Sequence, residues 1–570
     1  MIDQLKQVCT DPSPRYRIAR RAAFLVALFA LSVVVRARYI NRPLSAHYEW
    51  VTAPVLITQQ IWYEEGAFHH HFLPVLTYPG VANRNISNDA RMKNEDGVWY
   101  YTSYPPLSWI APYVVFRMLG VYPDVLPLQI FNLFLHLICA VFIYLIVYQL
   151  LKGKSFAACE IPAFIASAVY IFAPFGLWFH CNTYSAQWLN HPWFAIAVYV
   201  FIRILDGEND EEKKRWVIAM GGLTFLMFYT AWFGVLFYGV VGLYALIYRK
   251  EQAMRWLIAA IIGGVVLAAL VVLIQMSAIS GPIELVKYFL SRFSFISGYF
   301  EETDKSLHIY DIVAWRRLLG HYYKGYGGLL FFLAVIAFVA LALGNTSSAP
   351  SPRWGTNFFT VGLSLVLGSL KEKFVKMDKR CLAVAGITIL PVCGHHVVLF
   401  NYSTVHEYSV LTMLVAISAF TGVGLSSIIS RLEETRGRKE LIGNIGSILT
   451  VFLILIAAAI GEFREQNKNG HTIYKTLGEM ISKTAKSDEV VFVNSRGMFL
   501  TGGGGIIPHI VFYAHRNLAV WKDGKTAREL IEANGVDRGI VFTLVREKNQ
   551  YKFRHQYIER KDALSKAKKL

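Results

Sequence analysis

Glu49 lies in the string SAHYEW (residues 45–50), just past the first apolar segment and its basic tail of Arg38 and Arg42. A carboxylate there either anchors a helix end in solvent or takes a proton. Behind it, Ala53, Val55, Leu56, Ile57, Ile61 and Trp62 recur at helical spacing. That stripe predicts an amphipathic helix in the membrane interface with Glu49 at its start. An ionised carboxylate is favoured at a helix N-terminus, and a base held there suits deprotonation of a hydroxyl acceptor. Residues 84–109 mix acids, bases and rings, among them Asp89, Arg91, Lys93, Trp99, Tyr100, Tyr101, Tyr104 and Trp109. Rings to stack on and acids to accept hydroxyls are what a sugar needs. An interfacial aromatic belt has the same content. Asp89 with Arg91 is the most site-like pair in that stretch.

Further along, Arg316, Arg317 and Lys324 fall in a basic amphipathic segment, 315–328. Basic residues on an outer face run against the positive-inside trend, so they either hold a lipid phosphate or pyrophosphate or touch headgroups. His406, Glu407 and Tyr408 sit in a very short loop at a membrane edge, where ionisable groups are costly unless used or exposed. Two further strings point away from chemistry. The consecutive histidines of FHHHF (68–72) cannot all face one ion from regular structure, so an interfacial loop is expected. The run GGGG (502–505) lacks the Lys-Ser/Thr of a phosphate loop and reads as a turn.

The elements that must position these residues are membrane helices. The 570-residue chain is 55% hydrophobic and only 17% charged, against about 25% charged in soluble domains. Apolar runs of about 20 residues recur, the length that crosses a bilayer core. The net charge of +18 would suggest nucleic acid in a soluble protein. Here the basic residues cluster between apolar runs, so no nucleic-acid partner is expected. The six cysteines show no paired spacing, hence no disulfide framework or zinc site. The first apolar run lacks a cleavage site and reads as a retained helix.

Lys- and Arg-rich loops at 151–155, 206–216, 248–255 and 431–440, with the basic N-terminus, mark the cytoplasmic side. The loops 41–126, 179–190, 277–327 and 401–407 then fall outside, as does everything from 463. Spans are expected near 21–40, 127–151, 160–178, 191–205, 216–233, 235–248, 256–276, 328–344, 380–400, 408–427 and 441–462. Segments 105–120 and 358–374 are expected to be interfacial or re-entrant rather than crossing. The expected fold is therefore mainly α, a polytopic membrane protein of about 11 helices. Residues 1–462 form the membrane domain, with 41–126 as a long outer loop. Residues 463–570 form a small extracytoplasmic α/β domain, with strands at 489–494, 517–521 and 539–545 and a helix starting at 526–530.

In this order of elements, the string SYPPLSWIAPYVVFRMLG (103–120) resembles the "PPL…LFG" segment of the GT-C membrane glycosyltransferases. The nearest branch is the protein mannosyltransferase and aminoarabinose transferase group, glycosyltransferase family 39-like. NLFLHLICAVFIYLIVYQLL (132–151) is similar to that family's next helix, and VHEYSVLTMLVAI (405–417) to its late "H-(D/E)-Y" segment. The resemblance implies a GT-C fold in the inner (plasma) membrane, with sugar taken from a polyprenyl-phosphate carrier at the outer face and passed to a hydroxyl acceptor. Glu49 matches the family's first-loop acid, and Asp89 is the candidate second acid. Arg91, Lys93, Tyr104, Arg316, Arg317, Lys324, His406, Glu407 and Tyr408 are the candidates for binding donor phosphate and sugar. The sequence departs from the family in two places. Glu49 has no acidic neighbour and Pro54 stands where relatives carry Asp; Gln187 and Asn190 stand where relatives carry an acid before the fourth helix. No motif supports a divalent metal. A secondary transporter, an oligosaccharide transferase and a non-catalytic partner of surface-polysaccharide assembly are the competing readings. Inverted repeats would favour the transporter, and none is visible.

Overall fold

The computed structural model describes residues 14–45, 47–81, 91–297, 308–328, 379–435, 438–467, 472–494, 506–547 and 550–560. Asp89, the run 502–505, segment 358–374 and all but the first residue of 328–344 lie outside the described residues.

Apolar helices dominate. The chain runs through α1 (Pro14–Arg36), α2 (Thr52–Ile61), a two-stranded ribbon β1 (Arg91–Lys93) and β2 (Trp99–Tyr101), α3 (Leu107–Leu119) and α4 (Val125–Leu150). Then come α5 (Phe156–Phe172), α6 (Pro174–Asn182), α7 (Asn190–Asp206), α8 (Asp210–Phe228), α9 (Phe233–Ile247), α10 (Gln252–Ser280), α11 (Pro282–Ser297) and α12 (Ile312–Tyr326). The last membrane-length pieces are α13 (Lys379–Val398), the short α14 (Phe400–Val405), α15 (Met413–Thr435) and α16 (Arg438–Gln466). Among the described residues six helices are long and apolar enough to cross a membrane, or seven if α5 and α6 count as one bent span. The chain is an integral membrane protein. Of the expected spans, 191–205, 216–233 and 235–248 appear as α7, α8 and α9. Those helices are either short or, like α8 with its opening Asp210–Glu211–Glu212, charged at the start.

The span expected at 160–178 is not straight. It breaks at Ala173, and α6 leaves α5 at 59°. Pro174 begins α6 at a position where its missing N–H costs nothing. A Cβ on Gly176 would come within 2.6 Å of the Tyr170 carbonyl oxygen, so only glycine fits inside the bend.

Polar contacts gather helix ends into two layers. Near one end, Arg21 of α1 holds Glu160 of α5 at 2.9 Å from Nε, and Tyr144 of α4 donates to the same carboxylate at 2.5 Å. Asp206 closing α7 accepts from Arg380 of α13 (2.9 Å) and Gln149 of α4 (2.8 Å). Lys154 reaches Ser426 of α15 at 3.2 Å. Ser155 donates to Glu433 at 2.5 Å, so three of the four charged loops share an end.

The opposite layer holds the first loop. Helix α2 is not the surface amphipath that its stripe suggests. Every residue of it except Pro54 is buried. Its polar side is satisfied by protein instead of water: Thr58 donates to the Val75 carbonyl (2.7 Å), Gln59 to the Trp109 carbonyl (2.8 Å), and Gln60 accepts from Tyr78 (2.6 Å). Helix α3 keeps an exposed apolar end at Met118 and Leu119, as an interfacial helix would.

Residues 473–560 add α17 (Ile473–Thr484), β3 (Val490–Asn494), α18 (Pro508–Ala514), β4 (Ala519–Val520), α19 (Gly524–Ala533), β5 (Arg538–Glu547) and β6 (Gln550–Glu559). The sheet order is β4-β3-β5-β6, with β3 parallel to both neighbours and β6 antiparallel to β5. Strand β6 escapes sequence reading because Lys552, Arg554 and His555 give it no apolar run. This layer is tied to the first loop: Tyr513 accepts from the Leu44 N–H (2.8 Å), and the Asn517 amide pairs with both backbone groups of Tyr78 (2.9 and 2.7 Å).

Gly325 lets α12 approach α6 closely, since a Cβ there would meet the Phe175 ring at 2.7 Å. Gly325→Ala is expected to lower the stability of the purified protein by about 1–3 kcal/mol, the usual cost of overpacking. Thermal unfolding in detergent checks this; an unchanged transition would show that the contact is loose.

Candidate functional site

The string SAHYEW folds as a sharp reversal. Tyr48 adopts φ 58°, in the left-handed region, immediately before a 3-10 turn (Glu49–Val51). A bulky residue there is uncommon and needs surroundings that hold it. Its hydroxyl donates to the Val405 carbonyl at 2.9 Å and accepts from the Glu407 N–H at 3.4 Å, while its ring packs edge-on to Tyr408 at 5.3 Å. Burial, first of all, raises the Tyr48 pKa, so the phenol stays protonated at neutral pH. The reversal sends its two neighbours apart. Glu49 turns inward, 1% exposed, into an ion pair with Arg42 and a 2.7 Å hydrogen bond from the Ser45 N–H. His47 turns outward, its side chain 41% exposed, and sets Nε2 at 2.7 Å from Glu407 Oε2.

Helix α12 supplies the cations. Asp311 caps it by accepting from the Val313 N–H at 2.8 Å. Arg317, His321 and Lys324 follow at spacings that share one helix face. Lys324 Nζ lies 3.0 Å from Glu407 Oε1. His321 Nδ1 is 3.9 Å from that oxygen, and Nε2 is engaged by the Thr404 carbonyl at 2.8 Å. The charge of Arg317 acts on Tyr48 and His321. Arg316 lies on a different face, in line with exposed Ile312, Leu319 and Tyr323. The two adjacent arginines of the sequence thus part company, one near Tyr48 and His321 and one on an apolar stripe.

Rings form the wall beside this cluster. His406 stacks on Tyr408 at 5.1 Å and meets Tyr402 at a tilt at 4.6 Å, Trp188 meets Tyr408 at 5.2 Å, and half-exposed Trp50 approaches His406 at 6.4 Å. Gln187 ties the wall to the first loop, donating to Tyr104 at 2.5 Å and also to the Tyr402 hydroxyl. Burial pushes the Tyr104 phenol up to about 12. Burial pushes His406 down to about 4, with the nearby His321 and Arg292 adding to it, so its imidazole is neutral. Burial also lowers His321. Arg292 of α11 lies over Phe295 at 5.2 Å, and its Nε has no hydrogen-bond partner among the described residues.

Of the residues singled out from sequence, Glu49, Tyr104, Arg317, Lys324, His406, Glu407 and Tyr408 meet in this layer. Lys93 sits on the β1–β2 ribbon, 6.0 Å over the Trp99 ring, and Arg91 begins the ribbon opposite Tyr101. Sequence reading missed His47, His321, Arg292 and Tyr402. The partner of His47 is 360 residues away, and no local pattern announces such a pair. Gln187 was visible only as a departure from the family. His70 engages Glu65 (2.8 Å) and Tyr100 (3.3 Å) while His69 and His71 are exposed. Among the described residues no group of three or more His, Cys, Asp or Glu side chains is placed to hold a metal ion.

No family model matches the chain, and no curated protein matches its sequence. Solved structures do match. The archaeal oligosaccharyltransferase AglB from Archaeoglobus fulgidus, in complex with an inhibitory peptide and a dolichol-phosphate, superposes over 92% of this chain and 70% of its own length, at 12% identity and a TM-score of 0.54. The apo form of the Archaeoglobus fulgidus oligosaccharyltransferase covers 91% of this chain and 69% of its own, at 10% identity and a TM-score of 0.51. ArnT from Cupriavidus metallidurans bound to undecaprenyl phosphate covers 93% of this chain and 94% of its own, at 11% identity and a TM-score of 0.46. These neighbours are GT-C superfamily membrane glycosyltransferases, and what this chain shares with the oligosaccharyltransferase is the fold.

The buried pair of Glu49 and Arg42 predicts a stability effect. Glu49→Gln leaves the guanidinium without its anion, at an expected cost of about 3 kcal/mol. Arg42→Ala is expected to cost as much. Thermal unfolding of the purified variants measures both; a wild-type transition in either would contradict the pair.

Proposed function

Taking the GT-C fold as premise, we propose that this protein transfers a sugar from a polyprenyl-phosphate-linked donor to a hydroxyl acceptor. The reaction takes place at the end of the helix bundle that carries Glu407. That end is the outer face of the inner (plasma) membrane, with the N-terminus cytoplasmic, about 11 crossings, and residues 463–570 forming an extracytoplasmic domain.

One observation carries the reading: α12 sets a cationic face (Arg317, Lys324) beside an exposed apolar stripe (Ile312, Leu319, Tyr323). A lipid-borne phosphate approaching along the apolar side meets the cations within about one helical turn. As the bond between sugar and phosphate breaks, charge grows on the leaving phosphate, and fixed cations lower that barrier. Half-exposed Trp50, beside His406, offers a face for the sugar. The ion pairs described lie toward the two ends of the bundle, whereas a secondary transporter would set charges near the midplane. Moving a whole oligosaccharide would use the same carrier chemistry and differ in the size of the glycan.

The test is transfer by the purified protein in liposomes, from polyprenyl-phosphate sugars identified by mass spectrometry as those that accumulate in a deletion strain. Arg317→Ala and Lys324→Ala are each expected to raise the donor KM by about ten- to hundredfold, the loss of a charge-assisted hydrogen bond. Arg316→Ala is expected to have the smaller effect. Unchanged donor KM in the Arg317 and Lys324 variants would remove the phosphate from this face.

A further inference from the structure

We infer that His47, oriented by Glu407, is the general base that deprotonates the acceptor hydroxyl; the inference rests on the glycosyl-transfer reading above. Among the described residues of this layer two carboxylates compete for the role, and both are already engaged. Glu49 is enclosed with Arg42 and the Ser45 N–H. Glu407 gives Oε2 to His47 and Oε1 to Lys324.

The imidazole is placed differently. Its Nε2 faces the carboxylate at 2.7 Å, so the neutral ring carries its hydrogen there and its lone pair on Nδ1. Nδ1 has no hydrogen-bond partner among the described residues, and the side chain is open to the surface. The backbone is held as well: the Trp178 indole N–H donates to the His47 carbonyl at 3.0 Å, and the ring packs edge-on to Tyr48 at 4.7 Å. A carboxylate that fixes an imidazole's tautomer and stabilises its charged form is the arrangement of a catalytic dyad.

The charged and titratable groups around the ring come from three elements. Glu407 and neutral His406 belong to the late turn; Lys324, Arg317 and His321 belong to α12; Tyr48, Arg42 and Glu49 belong to its own turn. Glu407 is in place as the counterion of the ring once it takes the proton.

The step balances as a single displacement. The acceptor oxygen forms a bond to the sugar's anomeric carbon, and the bond from that carbon to the phosphate oxygen breaks. The electron pair leaves with the polyprenyl phosphate, toward Lys324 and Arg317. The hydroxyl proton passes to His47 Nδ1 and then to water.

His47→Ala is expected to lower kcat by about 10²–10⁴-fold, with the donor KM changed less than about threefold, and to remove one ionisation from the pH–rate profile. Because the ring is exposed, free imidazole in the buffer is expected to restore part of the rate. His47→Gln, which keeps a hydrogen-bonding side chain toward Glu407, should unfold like wild type yet stay slow. Three results overturn the inference while leaving the functional reading intact: wild-type kcat in His47→Ala, a wild-type pH profile in that variant, or a folded, inactive His47→Ala that imidazole does not revive. If the wild-type protein transfers no sugar from any polyprenyl-phosphate donor, the functional reading itself fails.

Discussion

Glu407 is the charge around which the site layer is built. Its residue is nearly buried, and a carboxylate withdrawn from water must find partners or cost several kcal/mol. The partners come from pieces of chain far apart in sequence: His47 from the first loop and Lys324 from α12. Tyr48 fastens the same junction through the backbone on both sides of His406. Removing the carboxylate would leave two cationic or basic groups facing each other and three segments without a common anchor. A fold with so few regular contacts in its loops holds them together with this kind of polar knot.

The second organising feature is the contrast between the two ends of the bundle. At one, Arg21–Glu160 and Arg380–Asp206 close helix ends as paired charges. At the other, the cations are only partly matched: Arg292 Nε has no hydrogen-bond partner among the described residues, and Lys324 shares one carboxylate with His47. Paired charges stabilise helix ends, whereas under-matched cations beside rings are suited to an anionic, sugar-bearing ligand. Where α1 ends, a wholly buried Arg36 meets His136 at 3.2 Å, and that ring stacks on His180 at 4.5 Å. This polar string runs beneath the site layer without touching Glu407 in any described contact.

Much of this was legible in the sequence because it depends on short-range pattern. Apolar length marked α1, α4, α10, α13, α15 and α16, and charge between the runs marked loops that meet at one end. The β-branched runs of β3 and β5 were plain. The misses have a common physical origin. The apolar stripe of α2 pointed to an interfacial helix and could not say that Thr58 and Gln59 would be satisfied by distant carbonyls and Gln60 by the Tyr78 hydroxyl. Arg316 and Arg317 look equivalent until the helix turns them about 100° apart. Glu49 was conspicuous as an isolated carboxylate, yet its neighbour two residues earlier faces the open side, because Tyr48 takes a backbone conformation that composition does not reveal.

On the proposed function, the Glu407 layer receives the carrier phosphate. The most direct measurement is a cryo-EM structure of the full chain with a polyprenyl phosphate bound. The phosphate is expected between Arg317 and Lys324, within reach of His47, with the polyprenyl chain along Ile312, Leu319 and Tyr323. A phosphate seated instead at the β1–β2 ribbon or at the charged end near Arg21 and Arg380 would contradict it.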